Sequence, residues 1–188
     1  MPASPFSHAV GFDDAPFERG SSAPVRIVGA VFAGERLDGV VSGAVGRDGV
    51  DATAELIRLV ATSRFYPQLK LVFLQGIALA GFNVVDARLL HHALNLPVLI
   101  VARRAPDLAA IERALEGLPG GGRKWRTIRR TGAMEPVAGV HVQRAGLSRE
   151  VAEAAVHLWA WHGNIPEPLR AAHLIAGGIA AGHSRGRV

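Results

Sequence analysis

The chain reads as one α/β domain: a mixed sheet, mostly parallel with one antiparallel strand, carrying helices on both faces. Three observations predict it. Two short, unbroken apolar runs, Leu71-Val72-Phe73-Leu74 and Pro97-Val98-Leu99-Ile100-Val101-Ala102, have the length and branching of strands buried on both faces. Segments with helical apolar spacing alternate with them. Ahead of them, strand-like segments are joined by a hairpin turn, Ala33-Gly34-Glu35-Arg36. That succession suits a sheet that starts antiparallel and continues in β-α-β steps.

The elements follow in order. His8 to Phe12 is a first short strand ending at Asp13-Asp14, and Pro16 to Ala23 is a loop. Val25 to Phe32 is the second strand, and Leu37 to Val45 pairs back against it. After Gly46-Arg47-Asp48-Gly49-Val50, Asp51 is a good N-cap for a helix running to about Phe65, with Leu56, Ile57 and Val60 on its buried face. Tyr66-Pro67 stops that helix. The apolar run at 71–74 ends at Gln75-Gly76, and Asn83 predicts the cap of a helix from Val84 to Leu94. Beyond Ala102 come a helix over 106–115 with Pro106 near its first turn, a flexible loop over 117–122, and a short, strongly basic stretch, Trp125 to Arg130. Val137 to Val142 is the last strand. Ser148 caps a helix that includes Glu150 to Trp161, and Glu167 to Ala180 forms the final one. Residues 1–6 read as a short extension and 182–188 as a basic, mobile tail of a single domain spanning 1–188.

Composition bounds the function. With 188 residues, 49% hydrophobic and 20% charged, the chain can bury a core, and at 6% aromatic it must build that core from Ala, Val and Leu. The net charge of +5 is almost all arginine, since Lys70 and Lys124 are the only lysines. Arginine reads phosphates bidentately, which points to a polyanionic partner; GC-biased codon usage enriches arginine as well. The absence of cysteine excludes disulfides, thiolate zinc sites and cysteine nucleophiles. No apolar run reaches the roughly 18 residues of a membrane helix. The N-terminus, MPASPFSHAV, lacks the basic region and apolar stretch of a signal peptide, so a cytoplasmic protein is expected.

In open α/β sheets, ligands bind at the carboxyl edge of the strands. Gln75 stands at such an edge. Asp13 and Asp14 stand at another; on a strand they point to opposite faces, so one can bind a hard cation while the other caps a turn. Asp48 and Asp51 flank Gly49 at the start of the first helix, and either can bring a second carboxylate to the edge, with Asp51 the better N-cap. Asp86 suits a helix N-terminus. Arg103-Arg104 end the second apolar run and can hold a phosphate, while Arg47, Arg123, Lys124, Arg126, Arg129 and Arg130 add charge on loops. Trp125 can stack on a base or anchor the core. His91 and His92 are consecutive and point about 100° apart, so they do not chelate. There is no P-loop, G-x-G-x-x-G or G-x-S-x-G, which argues against kinases, dinucleotide enzymes and serine hydrolases.

This order of elements is that of a ribonuclease-H-like fold, and the residues carry a closer likeness. HAVGFDDAPF, RLDGVVSGAVGRDGVDAT, FLQGIALAGFNVVDARLLHHALNLPVLIVARRAPDL and IPEPLRAAHLIAGGI resemble the endonuclease-dU family, related to endonuclease V, from Ser7 to about Arg187. The resemblance implies a metal-dependent endonuclease, using Mg²⁺ or Mn²⁺, that cuts DNA containing deoxyuridine or deoxyinosine; RNA is the other polyanion to consider. Carried over by motif, it implies a catalytic set of Asp13, Asp48, Gln75 and Arg103, and metal ligands among Asp13, Asp48 and Asp51, with the helix-start acid at Asp48 or Asp51. It implies nucleic-acid contacts at Arg47, Gly76, Arg104, Arg170 and His173. Pro166-Glu167-Pro168-Leu169-Arg170 matches a P-E-P-x-R segment of endonuclease V, and His173 stands where that protein has an aspartate. The departure is Gln75-Gly76, where the pattern is Asp-Gly. An amide oxygen brings no charge, so divalent binding weakens. The alternative is a protein that binds nucleic acid on the same scaffold without cutting it.

Overall fold

Three hairpin-linked strands open the fold: β1 (His8–Asp14), β2 (Val25–Ala33) and β3 (Arg36–Val45). The structure is a computed structural model that describes residues 5–18 and 20–184. α1 (Ala52–Ala61) follows, then a 3₁₀ turn at Tyr66–Gln68, β4 (Leu71–Gln75), and a small hairpin of β5 (Ala78–Leu79) and β6 (Asn83–Val84). The rest comprises α2 (Ala87–Leu94), β7 (Val98–Ala102), α3 (Leu108–Glu116), α4 (Gly121–Thr131), β8 (Glu135–Val137), β9 (Val140–Ala145), α5 (Arg149–Trp159) and α6 (Glu167–Ala181).

The seven-stranded sheet has the order β3-β2-β1-β4-β7-β9-β8. Its centre, β1-β4-β7, is parallel, and five strands share one direction. Two strands run against them, β2 and β9, where one was expected. The physical reason is a turn. The segment read as one strand over 137–142 is broken at Ala138-Gly139, both at positive φ (48° and 80°), which closes a tight hairpin between Val137 and Val140.

Both faces of the central strands are covered, which explains their unbroken apolar runs. Val10, Phe12, Val72, Leu74, Val98 and Ile100 pack under α1 and α2. Ala9, Leu71, Phe73, Leu99 and Val101 pack under α5 and α6. α6 lies directly on β1: a Cβ at Gly11 would stand 2.4 Å from the Pro168 carbonyl carbon and 2.5 Å from the Leu169 nitrogen. Only glycine permits that approach, and it fixes which residues of α6 reach the end of β1.

Several local expectations are corrected. Asp51 stands at the N-cap position of α1 but makes no side-chain cap bond; its carboxylate accepts from Gly46 N instead. Asn83 does not start α2. It lies in β6 and its Oδ1 accepts from Ala52 N at 3.0 Å, so it caps α1 across the fold. α2 begins three residues later, capped by Asp86, whose Oδ1 accepts from Leu89 N. The stretch over 123–130 is helix, not loop, because one side of α4 (Lys124, Ile128, Thr131) is buried. Ser148 does cap α5, which ends at Trp159 rather than Trp161. Within the expected extension and tail, residues 1–4 and 185–188 lie outside the described residues; Ser184 Oγ donates to Leu174 O at 2.7 Å. Among the described residues no helix is long and apolar enough to cross a membrane.

Candidate active site at the ends of β1 and β4

β1 and β4 are parallel neighbours paired as far as Phe12 and Leu74, so the next residues, Asp13 and Gln75, lie side by side near the carboxyl ends of the two strands. By strand alternation both point to the α6 face. Asp13 is buried at 5% exposure. Its Oδ2 lies 2.8 Å from His173 Nδ1, and its Oδ1 accepts from Asp14 N at 2.9 Å. Burial raises the Asp13 carboxyl above its ordinary range, and the His173 hydrogen bond pulls part of that back. Gln75 Oε1 is buried with no hydrogen-bond partner. An unsatisfied buried acceptor costs about 1–3 kcal/mol, and Gln75 carries that cost at the strand end next to Asp13.

Asp14 points to the opposite face. Its Oδ2 accepts from Ala80 N at 3.1 Å, and burial, together with the Asp13 charge, pushes its pKa up to about 6. Asp48 meets the same hairpin: its N donates to Ala80 O at 2.9 Å and its Oδ1 accepts from Phe82 N at 2.8 Å. Its Oδ2 faces Arg47 Nε at 3.3 Å. The fit requires Gly81, at φ 83°, because a Cβ there would stand 2.4 Å from Asp48 Oδ1. The buried Lys124 of α4 donates from Nζ to the Asp48 carbonyl. Asp51 also accepts from Asn83 Nδ2 at 2.6 Å.

The structure thus brings Asp13, Gln75 and His173 together. Asp14 and Asp48 join through Ala80 on the other face, and Asp51 is engaged with Gly46 and Asn83. Gly76 turns away from β4 at φ 75°, its N donating to Val101 O. Arg103 and Arg104 are exposed just past the end of β7. Arg47 lines a cavity of about 490 Å³ with Phe17, Asp48, Gly81, Phe82 and Leu118. Arg170 is not brought to Asp13: it binds Glu167 (Nε to Oε2, 2.7 Å) and lines a separate cavity with Phe32, Leu37 and Trp161. Glu167 is buried; burial raises its carboxyl, but hydrogen bonds from Arg170 and His162 outweigh this and leave it below the usual range. Trp125 packs against Val84, Leu115 and Ile128. Among the described residues no three His, Asp or Glu side chains cluster as metal ligands do. Sequence reasoning missed Lys124 as a buried residue and Asn83 as a long-range cap. The one available signal for Lys124 was a lone lysine within an arginine run.

The family model for endonuclease dU matches residues 5–180. The chain belongs to the endonuclease dU family. A UPF0215 protein of Deinococcus radiodurans is 60% identical over 182 residues, covering 96% of this chain and 93% of that one. A crystal structure of a protein of unknown function from Archaeoglobus fulgidus superposes with a TM-score of 0.86 at 34% identity, covering 92% of this chain and 97% of that one. The endonuclease dU chain also shares its fold with human endonuclease V (TM-score 0.58, 17% identity, 94% and 85% covered). Ciona intestinalis endonuclease V, solved with a 24mer DNA containing an inosine, superposes with a TM-score of 0.56 at 14% identity, covering 88% and 82%. The ribonuclease-H-like architecture expected from the order of elements is therefore the one observed.

Proposed function

We propose that this endonuclease dU family member hydrolyses phosphodiester bonds in DNA carrying deaminated bases, deoxyuridine or deoxyinosine, with Mg²⁺ or Mn²⁺. The observation that carries the reading is the buried Asp13, paired with His173 and set beside the unsatisfied Gln75 oxygen at the carboxyl edge of the sheet. Family membership and the endonuclease V fold support it.

The donor set fits a hard cation in kind. Asp13 and Gln75 offer oxygens, the chemistry Mg²⁺ and Mn²⁺ prefer, and only one of the two carries charge. When bound, such a cation polarises a water and offsets charge on the phosphate. Asp13 supplies the anchoring carboxylate, and His173 fixes the orientation of that carboxylate. Arg103, at the neighbouring strand end, is placed to hold a phosphate, with Arg104 beside it. The cavity between Phe17 and Phe82 has room for a base swung out of the stack. Asp48 and Asp51 act by holding the loop and hairpin that wall this cavity.

Incubating the protein with oligonucleotides containing uracil, hypoxanthine or normal bases, with and without Mg²⁺ or Mn²⁺, tests the reading. Metal-dependent cutting of the deaminated strands, lost in Asp13→Asn, is expected. No cutting by the wild type or by Gln75→Asp overturns it. The second reading is nucleic-acid binding without cutting. It is favoured by the neutral Gln75 and by the lack of a three-ligand cluster among the described residues.

A further inference from the structure

We infer that the outward face of α4, carrying Arg123, Arg126 and Arg129, is the surface that holds the phosphate backbone of the nucleic acid. The inference rests on the DNA-cutting reading and gives that site its docking surface.

Charge distribution is the first observation. α4 has five cationic residues among eleven and no acid. The whole chain has 21 Lys and Arg against 16 Asp and Glu, so its entire +5 excess equals the charge of this one helix. The rest of the chain is balanced. A general codon bias would scatter the surplus; here it is concentrated on one element at the functional edge.

Orientation is the second. The helix buries Gly121, Lys124, Ile128 and Thr131, and leaves Arg123, Arg126 and Arg129 exposed on the other side. Successive members lie about 4.5 Å apart along the axis, so the three form a stripe. Arg130 is turned to Asp86. Among the described residues, none of the three stripe arginines forms an ion pair. Like charges three and four residues apart destabilise a helix, and Gly120 provides no side-chain cap. A polyanion along the stripe relieves that repulsion.

Placement is the third. Lys124 Nζ holds Asp48 O, Asp48 N holds Ala80 O, and Ala80 N holds Asp14 Oδ2, next to Asp13. This run of hydrogen bonds ties the arginine helix to the edge that carries the acids. Burying an ammonium is costly, and burial lowers the Lys124 pKa. The lysine therefore serves as a fixed strut, and the arginines around it remain available to a ligand.

The test is a salt titration. Affinity for a fluorescent deoxyuridine-containing duplex, without divalent metal, is measured by anisotropy from about 50 to 200 mM salt. The triple variant Arg123→Gln, Arg126→Gln, Arg129→Gln is compared with a control triple on the β2–β3 side of the sheet, Arg26→Gln, Arg36→Gln, Arg64→Gln, of equal net charge. The α4 triple is expected to lower the slope of log affinity against log salt by about 2–3 and to weaken binding at least tenfold at about 100 mM, with the control changing the slope by less than 1. Equal slopes in wild type and α4 triple, or equal losses in the two triples, overturn the inference. Cutting assays separate the two readings. Wild type that cuts while the α4 triple binds normally defeats the stripe alone. Wild type that neither binds nor cuts defeats both. Wild type that binds through the stripe without cutting supports the stripe and defeats the nuclease.

Discussion

His173 Nδ1 and Asp13 Oδ2 meet at 2.8 Å across 160 residues of sequence, and the contact exists because Gly11 lets the backbone of α6 rest on β1. A hydrogen-bond donor thus faces the buried acid. Removing His173 leaves a buried carboxylate with one fewer partner, which costs about 1–3 kcal/mol at neutral pH. His173→Ala is expected to lower the melting temperature. It should also raise the Asp13 pKa further and shift the acid limb of the cleavage pH profile upward. Melting curves and pH–rate profiles check this.

Gln75→Asp adds a charge to the oxygen set beside Asp13. Without metal, two adjacent buried carboxylates repel, so the variant should melt below wild type. Added Mn²⁺ should raise its melting temperature more than that of wild type, because affinity for a hard cation follows ligand charge. Thermal shift against Mn²⁺ concentration is the measurement. Identical shifts in the two proteins would place the cation elsewhere.

Asp14 carries a pH signature of its own. Its folded pKa, about 6, lies above the ordinary carboxyl value of 3.8, so the folded state holds the proton more tightly. The contribution of this group to stability is full below pH 4 and is lost as pH rises through 6. Asp14→Asn, which can still accept from Ala80 N, should therefore gain on the order of 2 kcal/mol over wild type at pH 7.5 without metal, and little at pH 4. Urea unfolding at the two pH values tests the difference.

Asn83 satisfies three partners at once: Ala52 N, Gly46 O and Asp51 Oδ1. Asn83→Ala strands the first turn of α1 and should cost about 2–3 kcal/mol, more than a single surface cap. Asp51→Ala should cost less, since its carboxylate serves Gly46 N and Asn83 alone. Chemical denaturation of the two variants ranks them.

Residues 71–75 and 98–102 were legible as central strands because burial on both faces demands unbroken apolar runs. The Ser148 cap was legible because its partner, Val151, is three residues away. Asn83 was misread for the converse reason: its position suits a local cap, but its bond goes to Ala52, 31 residues away. The helix at 121–131 was misread because its arginines conceal a short buried stripe whose packing partners come from β6, α3 and β9.

The amino-acid order alone determined the alternation of strands and helices, the strand-end positions of Asp13 and Gln75, the excess of arginine and the family likeness. Local periodicity and side-chain chemistry suffice for each of these. The tertiary structure decided which acids face one another. It turned Asp13 toward His173 and Asp14 toward Ala80, engaged Asp48 and Asp51 with backbone amides, and put three arginines of the basic stretch on the outward face of one anchored helix. Those outcomes depend on strand pairing, on the Gly11 contact and on hydrogen bonds between distant segments, which no local pattern encodes.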